Sequence, residues 1–266
     1  MRLPLVPWCK CFGLVLLVVL FLLAGCTVPP VLNQPNTSAR VDPASAARQA
    51  LQEWIAALES GDCDRVLSGL ARSVEYWNPE AMQHDLCQSM PSSAWAGMTV
   101  ESVVAVDDQR VIFRVRFPVS SPNAPQQGYA VMVNEDGQWR YAADLLRPLD
   151  ILPEPIQKDD LQIRVGPAWE RVDALTLVVT MQSQAPSDLR WASPCARLRW
   201  PGGREVNASF CPAEGSAVGE SWQGELTFPK GAIGREISSL PQTLLIELDS
   251  PAGPVTLQMT LHWLYP

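Results

Sequence analysis

Apolar and polar positions along this 266-residue chain follow several patterns in succession. Phe12 to Ala24 is an unbroken apolar run of roughly 13 residues, within the ~7–15 of a signal-peptide core and short of the ~20 that span a bilayer. Arg2 and Lys10 precede it, as a positive leader region should. Residues 27–41, TVPPVLNQPNTSARV, are polar and proline-bearing without any period, which predicts a tether.

Helical periodicity begins at Asp42-Pro43, an N-cap followed by a proline suited to the first helical position. Ala47, Leu51, Trp54, Ile55 and Leu58 then share one helical face, and Gly61 supplies a stop. Asp64 to Leu70 predicts a second short helix, with Val66, Leu67 and Leu70 apolar. Asn78-Pro79 opens a third, carrying Met82, Leu86 and Met90. From Met98 the period becomes 2. Strands are predicted at 100–106, 110–118, 128–133 and 138–145, the last two joined around Asn134-Glu135-Asp136-Gly137.

RPLDILPEPIQKDD (147–160) contains three prolines and ends in charge, the composition of a linker. Beyond it, seven short strand candidates follow, separated by Gly, Pro, Ser and Asp: 161–165, 175–181, 196–200, 205–210, 224–228, 243–248 and 255–263. Seven strands at that spacing predict a β-sandwich of immunoglobulin-like architecture. The expected organisation is a leader (1–25), a tether (26–41), an α+β domain (42–148), a linker (149–160) and an all-β sandwich (161–266).

Composition adjusts this picture only slightly. With 24 prolines, 16 glycines and 18% charged residues, the chain suits short strands and turns better than a helical bundle. The formal charge is −8, and removing residues 1–25 takes Arg2 and Lys10 with them, leaving −10. So acidic a body, with no basic cluster, argues against nucleic acid and against electrostatic attachment to anionic lipid.

Leu23-Ala24-Gly25-Cys26 resembles the lipobox of bacterial lipoproteins at all four positions. The resemblance implies cleavage between Gly25 and Cys26, acyl chains on Cys26, and a location on the extracytoplasmic face of a membrane in the cell envelope. Two or three acyl chains make a stable anchor, whereas one would be marginal. With Cys9 and Cys11 in the leader and Cys26 lipidated, Cys63, Cys87, Cys195 and Cys211 remain. An even number in an exported chain predicts two disulfides. Three connectivities are formally open, and grouping by domain favours Cys63–Cys87 and Cys195–Cys211. If the β-turn loop is Gly202-Gly203-Arg204, Pro201 lies opposite Glu205 and Cys195 opposite Cys211, which predicts a cross-strand bridge. Zinc is the rival use for these thiols, but there is no CxxC spacing and only His84 and His262 accompany them. No metal or cofactor is expected.

Three helices followed by four antiparallel strands resembles the nuclear transport factor 2-like superfamily, which includes ketosteroid isomerase and polyketide cyclases. The residues carrying the resemblance are WIAALESGDCDRVLSGL and the closing hairpin GYAVMVNEDGQWRYAADL. It implies an α+β cone, three helices packed on a curved antiparallel sheet around a pocket. Tyr76 and Asp144 are the pocket candidates, with His84, Asp85 and Asp107 also considered. Ketosteroid isomerase-like chemistry needs a carboxylate base and an acidic donor facing one cavity. His84 and Asp85 are adjacent on a helix and diverge, while Asp107 sits in a turn where carboxylates are usually solvated. No phosphate loop, nucleophile elbow or HExxH is present. Among the ten tryptophans, Trp169, Trp191 and Trp222 lie near loops or strand ends and are expected to be freer than Trp54, Trp139, Trp200 and Trp263. Arg110, Arg114 and Arg116 read as a solvated strand face. The leading expectation is a non-enzymatic, membrane-tethered binding or assembly module taking a small apolar ligand or a protein partner. The alternative is an enzyme or small-molecule carrier using the cone cavity.

Overall fold

Asp42 caps the first described helix: its carboxylate accepts the backbone N–H groups of Ala44 and Ser45, orphan donors that a helix start leaves exposed. The computed structural model describes residues 42–75, 96–118, 127–152, 155–158, 160–183 and 188–264. Helix α1 (Pro43–Ser60) buries Ala47, Leu51, Trp54, Ile55, Ala57 and Leu58, the face its periodicity predicts plus one alanine. It stops at Gly61, whose φ of 71° lets Asp62 N–H reach Ala57 O and Gly61 N–H reach Leu58 O. Two short helices follow, α2 (Cys63–Ser68), capped by Asp62, and α3 (Arg72–Glu75). The helix expected from Asn78 lies outside the described residues.

Strands β1 (Thr99–Val106), β2 (Arg110–Arg116), β3 (Gln127–Glu135) and β4 (Gln138–Tyr141) form an antiparallel sheet in that order. The β3–β4 turn is the two residues Asp136 and Gly137, both at positive φ, with Glu135 paired to Gln138. Asp-Gly is the preferred pair for such a turn because its twist matches that of the flanking strands. Trp54 of α1 stacks on Tyr141 of β4 with ring centroids 4.0 Å apart, seating the helix on the sheet.

The chain does not close there. At Ala142–Asp144 it turns, with Ala143 at φ 54°, and continues as β5 (Leu145–Ile151). This strand pairs with β7 (Leu161–Arg171) instead of returning to β4. β6 (Ile156–Lys158) pairs with the other half of the same β7 edge. The stretch expected as a linker, 149–160, is therefore partly strand. β8 (Ala174–Ser183), β11 (Ser221–Pro229) and β14 (Trp263–Leu264) complete a six-stranded sheet with the path β11-β8-β7-β5-β14. Facing it is a four-stranded sheet, β10-β9-β12-β13, made of β9 (Arg190–Arg199), β10 (Glu205–Asn207), β12 (Thr243–Ser250) and β13 (Gly253–Thr260). Each of the seven strand candidates in 161–266 coincides with one of β7 to β13, and this part is an all-β sandwich as expected.

Prolines explain the main irregularities. The β7–β8 register slips between Val165 and Ala168, where Gly166-Pro167 interrupts the ladder. β9 slips against β12 between Ala196 and Trp191, the stretch that holds Pro194. Proline has no N–H to give to a ladder, so it collects at such bulges.

The expected α+β cone does not hold. Among the described residues 54% are strand and 15% helix, and the architecture is several antiparallel sheets instead of three helices on one curved sheet. The physical cause lies at two places. Among the described helices only α1 is long enough to cover a sheet, since α2 and α3 have six and four residues. The strand predicted to close the hairpin, 138–145, is broken after Tyr141, and its continuation joins the sandwich. Residues 42–266 form one compact unit. Its apolar residues make two clusters that divide between Leu146 and Leu149, with Trp169 and Val172 of the β7 region reaching into the first.

Candidate functional site

Cys26 and Gly25, the predicted lipidation and cleavage positions, lie outside the described residues, as do Tyr76, His84, Asp85 and Cys87. Cys63 is disulfide-bonded. The Cys195–Cys211 bridge is present, with Cα atoms 5.9 Å apart. Its geometry differs in detail from the hairpin expected. The loop is Pro201-Gly202-Gly203, closed by Trp200 N–H to Arg204 O, so Arg199 lies opposite Glu205. That register would set Cys195 opposite Ser209, two positions short of Cys211. The chain leaves the ladder after Ala208 N–H reaches Ala196 O, and Ser209 N–H turns to Thr227 O of β11 in the other sheet. The disulfide therefore holds the crossover between sheets.

Asp144 sits in the turn before β5, beside Arg171 at 3.4 Å, and Arg171 in turn reaches Glu225 at 3.6 Å. Burial holds the Asp144 carboxyl above its usual range, while Arg171 pulls it down. Tyr141, three residues earlier, is raised chiefly by its own burial and secondarily by Asp144. Neither of the two clefts described below is lined by Asp144. It faces Arg171 at the seam where β5 departs. Because the folded state holds the Asp144 proton more tightly than the unfolded chain, stability gained from this group rises as pH falls through the window between the raised pKa and about 3.9. Asp144→Asn cannot titrate, so in paired thermal melts between pH 7 and pH 3 the wild type should gain on the variant toward acid. A constant difference across that range would contradict the assignment.

Several other sequence candidates resolve into structure. Asp107 caps its own turn by accepting Gln109 N–H at 2.8 Å. Arg110 pairs with Glu236 at 3.0 Å, and Arg116 pairs with Glu101. Trp169 and Trp191 are not freer than the others but fully buried, and Trp222 meets Trp191 edge-on at 4.7 Å. Trp169 and Trp191 looked exposed in sequence because what covers them is distant in the chain: the first apolar cluster for Trp169 and the second for Trp191.

The arrangement that sequence reasoning missed is a polar knot at the junction of the two apolar clusters. Glu170 on β7 has no exposed surface. One oxygen accepts Lys230 Nζ at 2.8 Å and Ile237 N–H at 2.6 Å, and the other accepts Arg147 Nε at 2.9 Å. Lys230 Nζ also donates to Arg235 O. Burial lowers the Lys230 pKa, with Glu170 opposing. Glu236 bridges Arg147 and Arg110, carrying the network from the sandwich to β2 of the first sheet. Gly234 of the same loop lies against Ile112, Val104 and Ala105, which is why Ile112 is buried on the face of β2 expected to be polar. The only sequence signal was a pair of adjacent charged residues, Glu170 and Arg171, inside an otherwise apolar strand stretch, AWERV.

Beside this knot a cleft of about 430 Å³ opens between the β9–β10 hairpin and the 230–239 loop. Trp200 forms one wall, fixed by its indole N–H to Ser239 O at 2.9 Å, and Arg204 lies over its ring at 5.2 Å. Arg235 and Ser238 line the other side. A second, smaller cleft of about 150 Å³ lies beside Trp54 and Trp139. Among the described residues, no group of three or more His, Cys, Asp or Glu could hold a metal ion. The chain matches no protein-family model, and no curated protein is significantly similar to it.

Proposed function

We propose that the chain is an extracytoplasmic lipoprotein, held in the cell envelope by acyl chains on Cys26, and that it works there as a non-enzymatic binding or assembly module. The observation that carries this reading is the sequence Leu23-Ala24-Gly25-Cys26 directly after an apolar run too short to span a bilayer. The Cys195–Cys211 disulfide supports it, because such bonds persist in oxidising compartments outside the cytoplasm. The order of the sandwich supports an immunoglobulin-like assignment: β7, β8 and β11 in one sheet and β9, β10, β12 and β13 in the other occupy the places of strands A, B, E and C, C′, F, G. Modules of this kind present loops and sheet faces to partners. The alternative of an enzyme or carrier working in a cone-shaped cavity loses its premise with the cone.

Lipidation is tested by expressing wild type and Cys26→Ala in a bacterial host, labelling with palmitate, and measuring the mass of the amino terminus. Wild type is expected to take the label and to begin at Cys26. The variant is expected to lose all label and to keep residues 1–25. Label on the variant, or a wild-type chain beginning elsewhere, would contradict the reading.

A further inference from the structure

The geometry points to the Trp200–Arg235 cleft as a binding site for a small oxyanion, a carboxylate or phosphate group carried on a compact ligand. This inference rests on the reading of the chain as a binding module and names its ligand class. Of the charged residues that line the cleft, Arg204, Lys230 and Arg235 stand against the one carboxylate of Glu236. Lys230 is consumed by Glu170, and both oxygens of Glu236 are engaged by Arg110 and Arg147. Arg204 and Arg235, by contrast, form no ion pair with a carboxylate among the described residues. In a chain of net charge −8, two uncompensated guanidinium groups on one cleft are a local reversal of sign.

The cleft is also built in advance. The indole of Trp200 is fixed by Ser239 O, and the Arg204 guanidinium lies over that ring, 5.2 Å from its centroid. A guanidinium held over a ring by cation–π attraction still has N–H donors to offer an oxyanion. Arg235 is placed by its own carbonyl, which accepts Lys230 Nζ from the buried knot. The hydroxyls of Ser238 and Ser239 add uncharged donors at the rim. A cleft of about 430 Å³ falls within the roughly 300–1,000 Å³ of small-ligand sites.

Isothermal titration of the full lipidated chain in a non-ionic detergent, at low ionic strength, tests this with three probes: citrate, inorganic phosphate and the neutral sugar cellobiose. Low salt matters because surface charges are screened within about 10 Å at 0.1 M. Saturable binding of citrate or phosphate is expected, and whichever of the two binds more tightly identifies the carboxylate or phosphate source. Arg204→Gln and Arg235→Gln should each weaken it by at least about ten-fold, as loss of a charge-assisted hydrogen bond does. Arg164→Gln, an exposed arginine on β7 away from the cleft, should leave it unchanged. Binding of cellobiose alone, equal binding by all variants, or no saturable signal would each overturn the inference. A chain that carries palmitate on Cys26 but binds neither anion would overturn the ligand and leave the lipoprotein reading standing. Anion binding without palmitate would do the reverse.

Discussion

Replacing Glu170 with alanine is expected to cost the fold about 3–5 kcal/mol, because it leaves the buried Lys230 ammonium without its counter-ion. Three donors converge on this carboxylate: Lys230 Nζ, Arg147 Nε and the Ile237 amide. Arg147 is partly exposed and can turn to water or to Glu236. Lys230 cannot, since its side chain is 4% exposed and its other acceptor is a neutral carbonyl. The damage should also be local. Loop 230–239 is held by Glu170 at Ile237, by Asp173 O at Lys230 N–H, and by Val172 O at Gly234 N–H, and it covers Ile112 of the first sheet. Loosening it should raise hydrogen exchange in β1 and β2 as well as in the loop.

Urea denaturation of Glu170→Ala supplies the magnitude, and pH supplies the mechanism. Burial lowers the Lys230 pKa even with Glu170 present, and removing the carboxylate removes the opposing influence. The folded variant then sheds the lysine proton at lower pH than the unfolded chain, which holds it to about 10.4. Stability of the variant relative to wild type should accordingly recover as pH rises toward that value. A deficit independent of pH would mean that lost packing, not a stranded charge, is the cause. The double variant Glu170→Leu with Lys230→Met should regain most of the loss, because apolar replacement of a whole buried ion pair is often neutral or stabilising.

Much of this architecture is written locally in the chain. The α1 face from Ala47 to Leu58, its Asp42 and Gly61 ends, and the seven strands from β7 to β13 follow from period and turn chemistry, which act over a few residues. The Cys195–Cys211 pairing was legible only in part. The loop proved to be one residue earlier than expected, but still three residues long. Parity would keep Cys195 and Cys211 on one face had the ladder continued, but the chain leaves it after Ala208, and the bridge forms at the crossover that sequence did not show. What local pattern could not supply was partnership at a distance. Nothing near Leu145 says that β5 will pair with β7 instead of extending β4, and that choice separates the observed sheets from a cone. In the same way, Ile112 reads as the polar face of β2 until Gly234, more than a hundred residues later, covers it. The cleft combines both problems, since Trp200 and Arg204 come from a hairpin and Arg235 from a loop that the Glu170 knot brings beside it.

Opening the Cys195–Cys211 bridge should have the second largest effect. A covalent link across 16 residues removes loop-closure freedom from the unfolded chain, worth about 3 kcal/mol for a loop of ~15 residues. The double variant Cys195→Ala with Cys211→Ala avoids a stranded thiol, and alanine avoids placing an unpaired hydroxyl at position 195, which is fully buried. Loss of the sulfur atoms from that position adds a small cavity cost, so the total should not fall below the chain-entropy figure by much. The folded state supplies a second, spatial readout. Ser209 and Phe210 bond to Thr227 of β11, and Gly215, Ser216 and Val218 bond back to Trp191 and Leu189 near the start of β9. The disulfide is the one covalent tie among these, placed where the chain passes from one sheet to the other. Hydrogen exchange in the double variant should therefore rise first at 208–212, while Trp191, locked by its own backbone bonds and by Trp222, stays protected. An equilibrium loss below about 1 kcal/mol would refute the constraint argument, being well under the ~3 kcal/mol the loop length implies. Uniform exchange across the sandwich would instead show that the crossover unfolds only with the whole, making the bridge a global constraint on the unfolded chain and not a staple on this segment.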